Sequence, residues 1–427
     1  MTIKKLFRFK KFAFHFSTRS LANLFSKLLG LITLPIITRA LGPEAYGNYN
    51  LVMVVVQYTA LPIGLLGLRS YGIREIAAGR KETSYAMDIL SLQFSMAIIS
   101  ICISLILAYF IFKSNVLLLL AIVLGYLIVF ARAFDLEFFF VSQKDLAFPT
   151  IAKIIGQLFY VAGVVLFIRK PNDFVILVFL AALSPTIGDI IQLRRYLKNH
   201  SSFCLIVNFP ELWATFKKTW MLGISQNLEG FLGTIPQVLL PIMIGTYALG
   251  IYSGGMKVYS ILVMFYVTFF YALAPYLVQL NKKPIQQQRK YHLLIFIVVF
   301  SLSSLAGGFL YFFGESLVVW LLGKSFGESV NVFKAISITI IPLVPIVMLL
   351  GNILIYSGYE KYYLSGLIVD GIAIASTAPV FISRFNVVGA VYSLALAMLL
   401  TVMVLANYYF RIHHKLIPRK INANEQK

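Results

Sequence analysis

"LPIITRALGPEAYGNY", from Leu34 to Tyr49, covers the end of one long apolar run and the beginning of the next. A shorter relative of this hairpin, "LPIMIGTYALGIY", runs from Leu240 to Tyr252. Leu-Pro-Ile and Gly-x-Tyr recur in both. The repetition predicts two halves that each begin with a helical hairpin. The alternative is a chance match, because Leu, Ile and Gly are common in this composition.

The composition around these hairpins indicates an integral membrane protein. Of the 427 residues, 59% are hydrophobic and only 12% are charged, and the mean hydropathy is +0.85. A water-soluble protein of this composition would expose large apolar surfaces. The apolar runs are about 20 residues long, as spanning helices require, whereas a barrel shows segments of about ten alternating residues. We therefore predict an all-α fold.

Twelve apolar segments are long enough to span a bilayer. Their predicted ranges are 17–41, 49–68, 86–112, 116–139, 147–168, 174–193, 220–244, 250–279, 291–313, 329–356, 362–381 and 387–410. With six spans per half, both halves begin on the same side of the membrane, so the predicted repeats are parallel lobes around a central cationic cavity.

The same reading divides the chain into five parts. They are a basic cytoplasmic N-terminus (1–16), an N-terminal six-helix lobe (17–196), a cytoplasmic linker (197–219), a C-terminal six-helix lobe (220–410) and a basic cytoplasmic tail (411–427).

The distribution of Lys and Arg predicts the orientation. If the N-terminus is cytoplasmic, the inner segments hold 24 of these residues and the outer loops hold 5. The positive-inside rule then places both termini in the cytoplasm. The net charge of +21 follows from this topology. It does not indicate a nucleic-acid partner, because the cations are spread over short loops.

Arg19, Asn23 and Lys27 recur every four residues in the first predicted span. At 100° per residue they share an arc of about 80° and rise about 12 Å along one face. A charge at the bilayer centre costs about 2.5 to 3.5 kcal/mol, so this stripe is expected to face water rather than lipid. Guanidinium and ammonium groups bind phosphate oxygens, which makes the stripe a candidate phosphate site.

Other charged residues lie within or at the edges of predicted spans. The cations are Arg69, Arg132, Lys153, Lys257 and Lys334, and the acids are Asp135, Glu137, Asp189, Glu229 and Asp370. Their alternative role is structural pairing, for which Arg132 has suitable spacing to Asp135 or Glu137. Glu229 is a candidate proton or sodium carrier, with pairing to a neighbouring cation as the alternative.

Motifs for catalysis are weak. "LLGKSFGES", from Leu321 to Ser329, resembles the tail of a phosphate loop, but Val318 occupies the position of the first glycine. The histidines lack zinc-ligand spacing. We therefore predict no catalytic residue, no metal site and no cofactor.

At "TRALGPEAYGNYN", from Thr38 to Asn50, and "GLRSYGIREIA", from Gly67, the chain resembles the polysaccharide flippases of the multidrug, oligosaccharidyl-lipid and polysaccharide exporter superfamily. It looks most like an O-antigen flippase, and the likeness continues through "GIYSGGMKV" from Gly250 to the last span. The resemblance implies that the chain moves a polyprenyl-pyrophosphate-linked oligosaccharide across the bacterial inner membrane by ion-coupled alternating access.

The resemblance also assigns expected roles and partners. The pyrophosphate or glycan would bind Arg19, Asn23, Lys27, Lys257, Arg69 and Lys153, and the candidates for ion coupling are Asp135, Glu137, Glu229 and Asp370. Expected partners are the lipid-linked oligosaccharide, membrane lipids, a polysaccharide polymerase and a chain-length regulator. Two alternatives stay open at this point: a membrane polymerase or ligase acting on the same glycans, and a drug exporter of the same superfamily.

Overall fold

The computed structural model describes residues 3–65, 67–77, 82–143, 145–199, 209–281 and 283–413. All regular secondary structure in these ranges is helical. The α-helices are α1 (Ile3–Leu65), α2 (Leu68–Ala77), α3 (Glu82–Phe112), α4 (Val116–Ala133), α5 (Glu137–Ser142), α6 (Ala147–Phe167), α7 (Phe174–Asn199), α8 (Phe209–Leu232), α9 (Ile235–Met243), α10 (Thr246–Leu280), α11 (Ile285–Leu322), α12 (Ser329–Tyr356) and α13 (Glu360–His413). Two short 3-10 helices are η1 (Pro171–Asp173) and η2 (Lys324–Phe326).

Seven segments of the described chain are long and apolar enough to cross a membrane. They are Ala86–Phe112, Val116–Ser142, Ala147–Phe167, Pro171–Lys198, Ile285–Leu322, Ser329–Tyr356 and Glu360–Ile412. An eighth is added if the two parts of α10, which meet at a 44° bend, count as one span. The all-α membrane fold is thus confirmed, and the count of twelve spans stays a prediction.

Two helices are too long to be single spans. At 1.5 Å per residue the 63 residues of α1 would extend about 95 Å if straight, against about 30 Å for the hydrocarbon core. The backbone of α1 leaves helical geometry at Gly42, and that of the 54-residue α13 does so at Asn386. Both breaks fall between two apolar segments that the sequence predicts as separate spans.

Gly42 and Gly245 give the two related hairpins the same kind of turn. Their φ/ψ values are 69°/175° and 113°/169°, a region open essentially only to glycine. A helical segment follows each turn directly. The structure thus provides a backbone reason for glycine at this position in both hairpins, while the parallel six-helix lobes stay a prediction.

Contacts within the chain divide it into two compact units, residues 1–228 and 229–427. The sequence places the start of its C-terminal lobe a few residues earlier, at 220, and its domain boundaries stay predictions.

The first unit contains a buried cluster that joins α2, α3, α5 and α7. Leu68, Leu90, Phe138, Phe139 and Tyr196 all belong to it, and the rings of Phe139 and Tyr196 meet edge to face at 4.9 Å. This packing holds the short helix α5 beside α2. It thereby sets the position of the charged residues at the start of each helix.

Glycine also brings helices into close contact within each unit. A Cβ added at Gly156 of α6 would lie 2.0 Å from the carbonyl oxygen of Ser184 in α7. In the second unit, a Cβ at Gly307 of α11 would lie 2.4 Å from the carbonyl oxygen of Ser337 in α12. Small residues at such contacts are typical of helix packing in membranes.

Candidate functional site

Four of the predicted site residues form one ionic cluster in the first unit. The Glu137 carboxylate oxygen Oε2 accepts a hydrogen bond from Nζ of Lys153 and forms an ion pair with Nη2 of Arg69. Asp135 Oδ2 lies 4.0 Å from Arg69 Nη1 and 3.9 Å from Lys153 Nζ. Two cations from α2 and α6 therefore neutralise two acids at the junction of α4 and α5.

Local sequence explains the position of the acids. Helix α4 ends at Ala133, and Asp135 Oδ1 then accepts a hydrogen bond at 2.9 Å from the backbone N–H of Glu137, the first residue of α5. Asp side chains favour such turns because they bond to backbone groups two residues ahead. Asp135 thus stabilises the turn between α4 and α5 in addition to carrying a charge.

Burial differs sharply within this ionic cluster. The Glu137 side chain is 7% exposed, whereas the side chains of Arg69 and Lys153 are 46% and 42% exposed. Charged side chains in membrane proteins face water or protein rather than lipid. The cluster therefore places its cations next to a hydrated space and its glutamate against the protein interior.

The spacing of Arg132 to Asp135 and Glu137 leaves structural pairing open, and in the structure both acids have ion-pair partners on other helices. The Arg132 side chain forms no hydrogen bond or ion pair with another described residue, but it interacts electrostatically with Asp135. It lines a cavity of about 470 Å³ together with Asp135, Lys153, Gln157, Tyr160, Ala181, Ser184, Pro185 and Asp189. Arg132 therefore contributes its charge to this cavity.

Asp189 is the most buried carboxylate that lines the cavity, at 6% exposure. Its Oδ1 accepts a hydrogen bond at 3.2 Å from Nε2 of Gln192, one turn later on α7. The cavity thus gathers two cations and two carboxylates from α4, the α4–α5 junction, α6 and α7. Mixed hydrogen-bonding groups of this kind suit a polar ligand.

The predicted phosphate stripe lies outside the described side chains. Helix α1 includes Arg19, Asn23 and Lys27, but the structure describes only their backbone. The same holds for Glu229 in α8. The roles assigned to these four residues stay predictions.

The second unit contains two further predicted site residues, Lys257 and Asp370. Lys257 is exposed on α10, just before its bend, and forms no ion pair with another described residue. Asp370 on α13 accepts a hydrogen bond at 3.2 Å from the Thr401 hydroxyl. A carboxylate beside a hydroxyl oxygen inside a membrane domain is compatible with ion coupling, which stays a prediction.

Sequence reasoning missed the cavity residues Gln157, Tyr160 and Ser184. One available signal was the polar positions of α6, because Lys153, Gln157 and Tyr160 follow each other at spacings of four and three and so share a helix face. A second was Pro185, which marks a disturbed turn in the neighbouring span. Neither signal stands out in a sequence rich in membrane helices.

One known protein family matches the chain. A profile of the family described as "Polysaccharide biosynthesis protein" matches residues 15–281, which is more than half of the chain. None of the curated proteins compared with the chain matched it.

Solved structures show a similar fold. An inward closed structure of the lipid II flippase MurJ is 14% identical, with a TM-score of 0.69, and the match covers 92% of this chain and 87% of MurJ. An inward-facing multidrug resistance MATE family transporter of the MOP superfamily is also 14% identical, with a TM-score of 0.72 and coverage of 93% and 96%. A mutant of the Vibrio cholerae MATE transporter VcmN is 11% identical, with a TM-score of 0.57 and coverage of 94% and 97%.

Proposed function

The chain belongs to the polysaccharide biosynthesis protein family, and from that premise we propose that it is a flippase for a polyprenyl-pyrophosphate-linked oligosaccharide. The cargo is an O-antigen repeat unit or a similar envelope glycan. It moves from the cytoplasmic to the outer leaflet of the bacterial inner membrane by alternating access, and a polymerase and a chain-length regulator act after it. The observation that carries the proposal is a polysaccharide family match in a chain with a transporter-like fold.

The chemical task fits the predicted stripe. A pyrophosphate carries negative charge that does not cross about 30 Å of hydrocarbon without compensation. In the proposal Arg19 and Lys27 provide charge-assisted hydrogen bonds to its oxygens, Asn23 adds neutral ones and Lys257 contributes from α10. The lipid tail stays in the bilayer while the glycan crosses in water.

The ionic cluster of the first unit favours a glycan over a cationic drug. Export of an organic cation calls for a carboxylate that is free to pair with it. Glu137 instead forms ion pairs with both Arg69 and Lys153, and the Asp135 carboxylate lies 4.0 Å and 3.9 Å from their nitrogen atoms. The acids of this cluster are therefore occupied by the chain's own cations.

We assign ion coupling to Asp370, whose carboxylate accepts a hydrogen bond from the Thr401 hydroxyl, and to Glu229. The free energy for export then comes from the ion gradient, since the sequence contains no convincing nucleotide-binding motif.

The leaflet position of the lipid-linked oligosaccharide tests the function. A reagent that cannot cross the inner membrane is added to cells with and without the gene, and the labelled fraction is measured. We expect the oligosaccharide to accumulate on the cytoplasmic side in the deletion strain. Normal delivery with loss of polymer length or attachment would contradict the proposal and indicate a polymerase or ligase. Normal delivery with increased drug sensitivity would indicate a drug exporter.

The same assay tests the stripe through the double variant Arg19→Gln/Lys27→Gln. Each charge-assisted hydrogen bond contributes about 1.5 to 3 kcal/mol, and 1.4 kcal/mol is a factor of ten, so delivery should fall at least about tenfold. Lys4→Gln/Lys5→Gln is the matched control, because it removes two cations before the first span. Wild-type delivery by the stripe variant at normal expression would show that neither residue is a required phosphate ligand.

A further inference from the structure

The cavity in the first unit contains polar groups that the ionic cluster does not use. Of the nine described residues that line it, only Ala181 and Pro185 have apolar side chains. Arg132, Gln157 and Ser184 form no side-chain hydrogen bond or ion pair with another described residue. Arg132 is exposed and Gln157 and Ser184 are half-buried, so these three polar side chains are accessible to water or to a ligand in the cavity.

A backbone acceptor adds to these side chains. Pro185 has no N–H, so it cannot donate the usual helical hydrogen bond to the carbonyl oxygen four residues earlier, which belongs to Ala181. Ala181 and Pro185 both line the cavity. Helix α7 thus presents the Ala181 carbonyl oxygen, the Ser184 hydroxyl and the Asp189 carboxylate within about two turns.

The facing helix α6 contributes donors and an aromatic ring. Lys153, Gln157 and Tyr160 lie on one side of it and line the same space. Tyr160 also interacts with Tyr49 and Thr33 of α1. The close contact of Gly156 with Ser184 locks α6 against α7 beside the cavity.

The charge balance of the lining decides which ligand class fits. Among the described lining residues, Arg132 and Lys153 are cations and Asp135 is an acid whose carboxylate lies near Lys153. A phosphate would face the Asp135 carboxylate and an organic cation would face two cations, and like charges brought together are unfavourable. A neutral molecule with many hydroxyl groups uses donors and acceptors of both signs, and about 470 Å³ is within the usual range for a small-molecule pocket.

We propose that this cavity binds neutral sugars of the transported glycan, with Gln157 and Ser184 as sugar ligands together with Arg132 and the Ala181 carbonyl oxygen. The inference rests on the proposed function, because it locates part of that cargo. The proposed site binds sugars that follow the first sugar of the glycan. The first sugar is attached to the pyrophosphate, which the Asp135 carboxylate repels.

Two cargoes and one variant test the subsite. Gln157→Leu keeps the side-chain size and removes the amide, and Gln279→Leu makes the same exchange at an exposed position of α10. Leaflet delivery is measured for the complete lipid-linked repeat unit and for the same lipid carrying only its first sugar. We expect Gln157→Leu to reduce delivery of the complete unit at least fivefold and that of the truncated cargo less than twofold. Gln279→Leu should match wild type for both.

Other outcomes overturn the inference. Equal delivery of both cargoes by Gln157→Leu and wild type would show that the amide binds no sugar. An equal loss of both cargoes would show a general defect in transport or folding, and Ser184→Ala should give the same cargo-dependent pattern if the subsite exists. If the wild-type chain delivers neither cargo, the proposed function itself fails. If the wild-type chain delivers both cargoes and the variants match it, only the sugar subsite fails.

Discussion

Loss of the Glu137 carboxylate should destabilise the first unit. This carboxylate is the buried partner of two cations, Arg69 and Lys153. Removing one member of a fully buried ion pair costs about 3 to 5 kcal/mol, but these cations are almost half exposed and water can reach them. For Glu137→Gln we therefore expect a loss of about 1 to 3 kcal/mol, close to that of an unsatisfied polar group. The measurement is the thermal unfolding midpoint of the purified protein in detergent.

Glu360→Gln provides the control for that exchange. Glu360 is an exposed carboxylate in the first turn of α13, where removal of a surface charge typically changes stability by less than about 0.5 kcal/mol. An unchanged midpoint for Glu137→Gln would mean that the ionic cluster contributes nothing to stability. Glu137 would then return to the candidates for ion coupling.

The same residues show why sequence reasoning identified the charges but not their partners. The alternative that Arg132 pairs with Asp135 or Glu137 assumes a continuous helix, in which residues three or four apart are neighbours. Helix α4 ends at Ala133, so that spacing no longer applies. The actual partners, Arg69 and Lys153, come from α2 and α6, and a single sequence carries no signal for such distant contacts.

At the scale of elements, the length of apolar runs predicted most of the helices. A chain that crosses hydrocarbon must pair its backbone polar groups internally, and a helix does so. The predicted segments 86–112, 147–168 and 329–356 agree with α3, α6 and α12 at one or both ends. The breaks within spans were harder to predict. Sequence reasoning extended one span from 220 to 244, where the structure has α8, a turn at residues 233–234 and the proline-initiated helix α9.

The turns at Gly42 and Gly245 allow a direct test of backbone requirements. Nothing lies within 4 Å of a Cβ built at either position, so Gly42→Ala and Gly245→Ala introduce no clash. Both positions have φ/ψ values that are essentially restricted to glycine. We expect each variant to lose about 1 to 3 kcal/mol, measured as a lower thermal midpoint and a lower yield of folded protein.

Gly308→Ala separates this backbone effect from the loss of glycine itself. Gly308 lies in the middle of α11, also has nothing within 4 Å of its added Cβ, and has no positive φ. Alanine is favoured over glycine by about 1 kcal/mol inside a helix, so this variant should be neutral or more stable. If all three alanine variants had the same midpoint, the left-handed turns would not constrain the chain.

At the scale of the whole molecule, charge placement rather than fold predicts the orientation in the membrane. The predicted inner segments contain 24 Lys and Arg residues, and the predicted outer loops contain 5. The membrane potential and the insertion machinery act on this asymmetry as the chain is inserted. The prediction is therefore independent of the ionic cluster and of the cavity, and it needs its own test.

Single cysteines at exposed positions provide that test. The chain has only two native cysteines, Cys102 and Cys204, which are first replaced by serine. Lys113→Cys and Arg384→Cys lie in predicted outer segments, whereas Lys283→Cys and Lys361→Cys lie in predicted inner ones, and all four positions are exposed. In intact spheroplasts, a membrane-impermeant thiol reagent should label the outer pair. It should label the inner pair only after lysis, because the bilayer keeps the charged reagent out of the cytoplasm.

The parent without cysteines controls for background labelling, and delivery of the lipid-linked oligosaccharide shows that each variant is folded and active. The reverse pattern, with the inner pair labelled in intact spheroplasts, would place both termini outside. Labelling that changes side between positions 361 and 384 supports a span over 362–381 in the first part of α13. Labelling of both from one side would mean that this part of α13 does not cross the membrane and that the count of twelve spans is wrong.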